Sequence, residues 1–184
     1  MAEFEAVVSL QVAGHSQQPP QIAAATNRWE PPDHGFYKVN CDVAVLQGSS
    51  RVTIATMLRD KNGHLVNGLT KKLCISSPFQ GEAQACCLAC LLVHQFNLLD
   101  VLVEGDNKVV IYFCVTETVP PWECGAILSD IKLLVSQGRF SFQWRPRVSN
   151  KVAHWVAQAC LHDQLPVDWV SNPSSPLLCF LAAS

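Results

Sequence analysis

Tyr37-Lys38-Val39-Asn40-Cys41-Asp42-Val43-Ala44-Val45 decides how the rest of the chain is read. Tyr37, Val39, Cys41, Val43 and Val45 alternate with Lys38, Asn40, Asp42 and Ala44, and a period of two predicts a half-buried strand. Asp42 is the only acid in the stretch, and Asp is a poor strand former. Two readings of it stand side by side. It lies at a solvent-facing position or strand end, or it is a carboxylate that a rigid strand presents to a metal ion.

On the N-terminal side, Trp29-Glu30-Pro31-Pro32-Asp33-His34-Gly35 is a turn-rich approach whose prolines fix an extended path into the strand. Residues 1–28 read as a loose leader, with a weak helix at Phe4–Val12 as the alternative to disorder. On the other side, Gln47-Gly48-Ser49-Ser50 makes a turn into a second strand, Arg51–Leu58. Arg59-Asp60-Lys61-Asn62-Gly63 carries the Asn-Gly hairpin signal, and His64–Cys74 is a third strand, giving an antiparallel meander.

A helix follows, to about Asn97. Ser77 suits its N-cap, Pro78 its first position, and Gln80 completes a capping box. Ala85, Cys86, Ala89, Leu92, Val93 and Phe96 form its core face. Glu82 falls on that face near the helix start and is the only charged residue between Lys72 and Asp100. A carboxylate there is costly unless something binds it; the plainer reading is a first-turn acid favoured by the helix dipole. Asp100–Glu104 is a short strand, parallel to the first because a helix precedes it. Asp106 follows its end. Helices at Lys108–Thr116 and Trp122–Gln137, a strand at Arg139–Arg145 and a helix capped by Ser149-Asn150 and closed by Pro166 complete the series. Residues 29–165 are the folded domain. In the tail, 166–184, the apolar segment Leu177–Leu181 is available to pack back on it.

The chain of 184 residues is one domain's worth, and 49% hydrophobic content with 15% charged is enough for a sizeable core. No apolar run approaches the ~20 residues of a membrane span. The acidic start Met1-Ala2-Glu3-Phe4-Glu5 lacks the basic region of a signal peptide, and nine cysteines, an odd count, read as reduced thiols. The expectation is an intracellular protein, with no choice between nucleus and cytoplasm, and a monomer. A net charge of -2 gives no global pull toward nucleic acid, so any such surface must be local. Arg145, Arg147 and Lys151 are candidates for phosphate contacts, against the plainer reading of a solvated loop, and Lys71-Lys72 may be read as adding to them. Cys87-x-x-Cys90 has a zinc-like spacing, but it lies within a helix without a second pair, so it is read as core; His94 reads as a surface or capping residue. There is no Gly-rich phosphate loop and no serine-hydrolase elbow.

Five pieces in order carry a family resemblance: Trp29-x-Pro31-Pro32-x-x-Gly35-x-x-Lys38-x-Asn40-x-Asp42, Arg59-Asp60-x-x-Gly63, Glu82-Ala83-x-Ala85, Glu104-Gly105-Asp106-Asn107, and Arg147-x-x-Asn150-x-x-Ala153-His154-x-x-Ala157. Over about residues 29–160 the chain resembles the ribonuclease H-like domain of plant non-LTR retroelements and their cellular relatives. The resemblance implies an α/β fold in the order β-β-β-α-β-α-β-α, with a five-stranded mixed sheet flanked by helices. It implies that Asp42, Glu82 and Asp106, with His154 as a fourth ligand, hold two Mg²⁺ ions, or Mn²⁺ in their place. It implies hydrolysis of the RNA strand of an RNA–DNA hybrid, the hybrid being met by Asn40, Arg145, Arg147, Asn150 and Lys151. Such a site is chemically sensible: hard cations prefer carboxylate oxygens, and a pair of them can activate water and stabilise the leaving oxygen. Recognition would rest on 2′-hydroxyls and A-like groove shape.

The chain also departs from the family's pattern. Val43 follows the first acid where a small residue is usual, and Thr53-Ile54-Ala55-Thr56 lacks glycine. His154 stands where bacterial-type enzymes carry a fourth acid, and a neutral imidazole is a softer ligand than a carboxylate. Trp144 or Arg145 lies where a proton-shuttling His is often found. These departures support a second reading, a catalytically eroded domain that binds nucleic acid or protein.

Overall fold

The structure, a computed structural model, describes residues 28–136 and 138–183; the leader and its expected helix lie outside the described residues. Strands β1 (Tyr37–Val45), β2 (Arg51–Arg59), β3 (Leu65–Cys74), β4 (Asp100–Gly105) and β5 (Arg139–Trp144) form one sheet in the order β3-β2-β1-β4-β5. β1 pairs antiparallel with β2, and β2 with β3; β1 and β4 run parallel, as do β4 and β5. Helices α1 (Pro78–Gln95), α2 (Lys108–Val115) and α3 (Trp122–Val135) cover one face. α4 (Lys151–Leu161) and α5 (Ser175–Ala183) cover the other. Among the described residues no helix is long and apolar enough to cross a membrane.

The first strand departs from its expected pattern. Its odd residues Val39, Cys41 and Val43 pack under α1, as the alternation predicts. Its even residues Lys38, Asn40, Asp42 and Ala44 are buried as well. The reason is position: β1 is the middle strand, and α4 closes the face that a half-buried strand would leave to water. The solvent-facing reading of Asp42 is therefore corrected.

The start of α1 also differs in detail. Ser77 Oγ accepts from Gln80 N at 3.2 Å, as an N-cap should. Gln80 does not close the capping box, because its Oε1 accepts from Ser76 N at 2.9 Å, one residue earlier. Phe96, assigned to the core face, is the helix C-cap and is 42% exposed. Cys87 and Cys90 are buried core thiols, and all nine cysteines are free.

Residues 166–183 pack on the α4 side. Leu177 is fully buried, and the Phe180 ring lies 5.8 Å from that of Trp155. Trp169 is buried over β3, where it fills the space a side chain would need at position 68: a Cβ on Gly68 would lie 2.1 Å from the Trp169 ring and 2.8 Å from the Thr56 carbonyl. Arg28 and Trp29 share a small cleft of about 170 Å³ with Phe180 and Ala183.

Candidate metal centre

β1 outruns its parallel neighbour. The pairing of Asn40 with Glu104 is the last rung between β1 and β4, an offset of 64 residues. Continued by two residues, that register puts Asp106 beside Asp42. β4 ends at Gly105, and Asn107 turns the chain into α2 by accepting from Val109 N and Val110 N, each at 3.1 Å. A notch opens at the end of the sheet with one acid on each strand.

Glu82 arrives from α1. It is the fifth residue of that helix, beyond the first turn, which holds no acid. The dipole explanation of Glu82 therefore fails, since that effect fades within the first turn. Gly81 permits the approach: a Cβ there would meet Val43 Cγ2 and Ile75 Cδ1, both at 3.0 Å. The start of α1 thus sits directly on the residue following Asp42, and Val43, large for its place, is accommodated by a glycine across from it.

The result is a cluster in which one carboxylate oxygen each from Asp42, Glu82 and Asp106 lies within 4.8 Å of the others. It is the only such group of three or more His, Cys, Asp or Glu ligand atoms among the described residues. Asp42 is 0% exposed, and its Oδ1 has no hydrogen-bond partner. Its Oδ2 lies 2.7 Å from His154 Nδ1, which α4 supplies. Burial, then the charges of Asp106 and Asp42, push the Glu82 carboxyl up to about 9. Burial and Asp42 likewise raise that of Asp106, against the opposing pull of Arg147 and His154. Three acids crowded this way, one of them with a buried unpartnered oxygen, suit a hard divalent cation and little else. The residues fit the Mg²⁺ chemistry expected of them. His154 touches Asp42 but is not part of the tight trio.

The five residues assigned to nucleic acid divide. Asn40 and Asn150, each 1% exposed, are closed to a ligand, and those two assignments are corrected. Asn150 does not cap α4 by its side chain; its amide donates to Cys41 O at 2.9 Å, pinning the approach to α4 onto β1 beside Asp42. Asn40 is the hub of a buried network. Its Oδ1 accepts from Trp29 Nε1 at 3.0 Å and Arg59 Nη2 at 2.7 Å, and its Nδ2 donates to Glu104 Oε2 at 2.9 Å. Glu104 also holds Lys38 Nζ at 2.8 Å and Arg145 Nε at 3.1 Å. Arg145 is thus spent mainly inside the protein, while Lys151 is exposed. Arg147 is 59% exposed and turned toward the acids, with its Nε 3.5 Å from Asp106 Oδ2.

Sequence reasoning missed Glu104 as a site-supporting residue. The signal was there: Lys38, Asn40 and Asp42 occupy one face of a strand, and a buried polar row needs partners on its neighbours. Arg59 shares that burial, which lowers its guanidinium to about 9 against the pull of Glu104.

A sequence profile of the reverse transcriptase-like family matches residues 40–160. No curated protein matches the chain. Among solved structures, RNase H1 from the halophilic archaeon Halobacterium salinarum is 20% identical with a TM-score of 0.63, the match covering 70% of this chain and 99% of that one. The N-terminal RNase H domain of a Mycobacterium tuberculosis protein is 13% identical, TM-score 0.63, covering 70% and 95%. LC11-RNase H1, isolated from compost and solved with an RNA/DNA hybrid, is 15% identical, TM-score 0.61, covering 71% and 99%. At these identities the neighbours establish the fold, and the matched profile establishes the family: the chain is a ribonuclease H-like domain and belongs to the reverse transcriptase-like family.

Proposed function

We propose that this chain is a divalent-cation-dependent nuclease that hydrolyses the RNA strand of RNA–DNA hybrids, with Mg²⁺ or Mn²⁺ held by Asp42, Glu82 and Asp106. The observation that carries the reading is the buried, unpartnered Oδ1 of Asp42 inside a trio of converging carboxylates. A purely structural acid would have both oxygens paired; here Oδ2 meets His154 while Oδ1 is left without a partner beside two more acids. The hybrid in the LC11-RNase H1 structure supports the choice of substrate.

A cation bound there supplies a Lewis acid that activates water and offsets charge on the phosphoryl oxygens. The chain's own part is positional. β1 fixes Asp42 with no rotamer freedom to lose, since the residue is fully buried. Glu82, its carboxyl pushed up to about 9, would give up its proton to a bound cation's charge; that of Asp106 is raised as well, by burial and Asp42. His154, in contact with Asp42, is the residue that the resemblance assigns to a second ion. All these groups come from one chain, so a monomer suffices.

The test is cleavage of a hybrid labelled on its RNA strand, followed in Mg²⁺, in Mn²⁺ and in EDTA, for the natural chain and for Asp42→Asn. Cleavage in either metal that disappears in EDTA and in the variant is expected. Hybrid binding without cleavage at any metal concentration would replace this reading by the eroded, binding-only domain.

A further inference from the structure

Arg147 is the residue that the proposed chemistry leaves unexplained. It opens the 3-10 turn Arg147–Ser149, and Asn150 N donates to its carbonyl at 3.0 Å. The buried Asn150 side chain ties that turn to β1 through Cys41 O. The arginine is therefore rooted on the same strand as Asp42. From there its guanidinium spans two acids' surroundings: Nε lies 3.5 Å from Asp106 Oδ2, and Nη2 lies 3.2 Å from His154 Nδ1. His154 Nδ1 is in turn 2.7 Å from Asp42 Oδ2.

We infer that Arg147 is the built-in cation of the second position, so that the site takes up one divalent ion rather than two; this rests on the reading of Asp42, Glu82 and Asp106 as cation ligands. The first support is the chemistry of the imidazole nitrogen that faces the acids. Arg147 can only donate. When Nδ1 carries no proton, its lone pair accepts from Arg147 Nη2; when it carries one, that proton is shared with Asp42 Oδ2. In neither state is Nδ1 free to ligate a second ion.

The second support is charge. Asp42, Glu82 and Asp106 carry three negative charges when ionised, and Arg147 carries one positive charge. One divalent ion brings the sum to zero; two bring it to plus two. A site with a fourth carboxylate and no arginine is instead neutral with two ions. His154 in place of an acid and Arg147 turned inward move the balance the same way. A partly buried site strongly disfavours uncompensated charge. The guanidinium is 59% exposed, so its remaining N–H groups stay available to a phosphate oxygen beside the ion, in the fork geometry that suits one.

The experiment counts bound Mn²⁺ per chain by calorimetry and by the electron-spin signal of free Mn²⁺, using the full chain. Four proteins are compared: natural, Arg147→Lys, Arg147→Ala, and Arg147→Ala with His154→Asp. Circular dichroism of each confirms folding. The inference expects one ion in the natural chain and in Arg147→Lys. It expects roughly tenfold tighter first-ion binding in Arg147→Ala, where a nearby positive charge is gone, and two ions in the double variant. Two ions in the natural chain overturn it, as does an Arg147→Ala protein whose count and affinity are unchanged. A folded natural chain that binds no Mn²⁺ overturns the metal-centre reading itself, and with it the inference.

Discussion

Replacing Glu82 by Gln in cation-free protein isolates the cost of crowding acids at the sheet notch. The carboxyl, ordinarily near 4.5, is pushed to about 9, first by burial and then by Asp106 and Asp42. Above pH 4.5 the unfolded chain releases this proton while the folded chain keeps it. Stability is therefore lost progressively as pH rises from about 4.5 to about 9. At pH 7 the loss is 2.5 pH units at 1.36 kcal/mol each, about 3 kcal/mol; at pH 5 it is roughly 1 kcal/mol. Gln resembles the protonated acid in shape and carries no such penalty. With about 2–4 °C of melting temperature per kcal/mol in a chain of this size, Glu82→Gln should melt about 6–12 °C higher than the natural protein at pH 7 in EDTA, and only about 2–4 °C higher at pH 5. Thermal melts of both proteins across that range in EDTA provide the assay. A gap that does not widen with pH, or a variant that melts lower at pH 7, would refute the claim that Glu82 sits desolvated among other acids.

Two other substitutions test the scaffold. Glu104→Gln leaves the buried Lys38 without its counter-charge and Arg145 with only the more distant Glu30, and urea denaturation should register a loss of about 3–5 kcal/mol; a loss under about 1 kcal/mol would mean the network is incidental. Gly68→Ala drives a methyl into the Trp169 ring and the Thr56 carbonyl, for a loss of about 1–3 kcal/mol. That loss should shrink in a Trp169→Ala background, and strictly additive effects would separate the two residues.

The parts of the fold written in local pattern were legible. The Asn62-Gly63 hairpin, the Ser77-Pro78 helix start and the parallel fourth strand all follow from short-range chemistry, and each is where the sequence puts it. The acids were legible as odd residues in apolar surroundings. What stayed hidden depends on which element covers which. A period of two assigns residues to two faces but says nothing about whether the second face meets water, so it does not reveal that Asn40, which the resemblance assigns to nucleic acid, is a buried hub. Gln80 and Asn150 are good capping residues by type, yet each has a better partner elsewhere, Ser76 and Cys41. Arg147 was recognised as basic and near the site, but its direction, inward to Asp106 rather than outward, is set by the tether of its turn to β1.

Arg28 and Trp29, ahead of β1, line the same cleft as Phe180 and Ala183 of α5. A folded unit whose entry and exit segments meet is easy to splice. A host protein can lead into this unit and out again through neighbouring points, with a short bridge on each side and no strand or helix rerouted. The same adjacency makes residues 28–183 a natural subject for circular permutation, with new ends opened at the exposed Lys61-Asn62 turn and those two segments joined. A ribonuclease H-like module built this way can be carried as an insert or a tail without disturbing the notch where its acids meet.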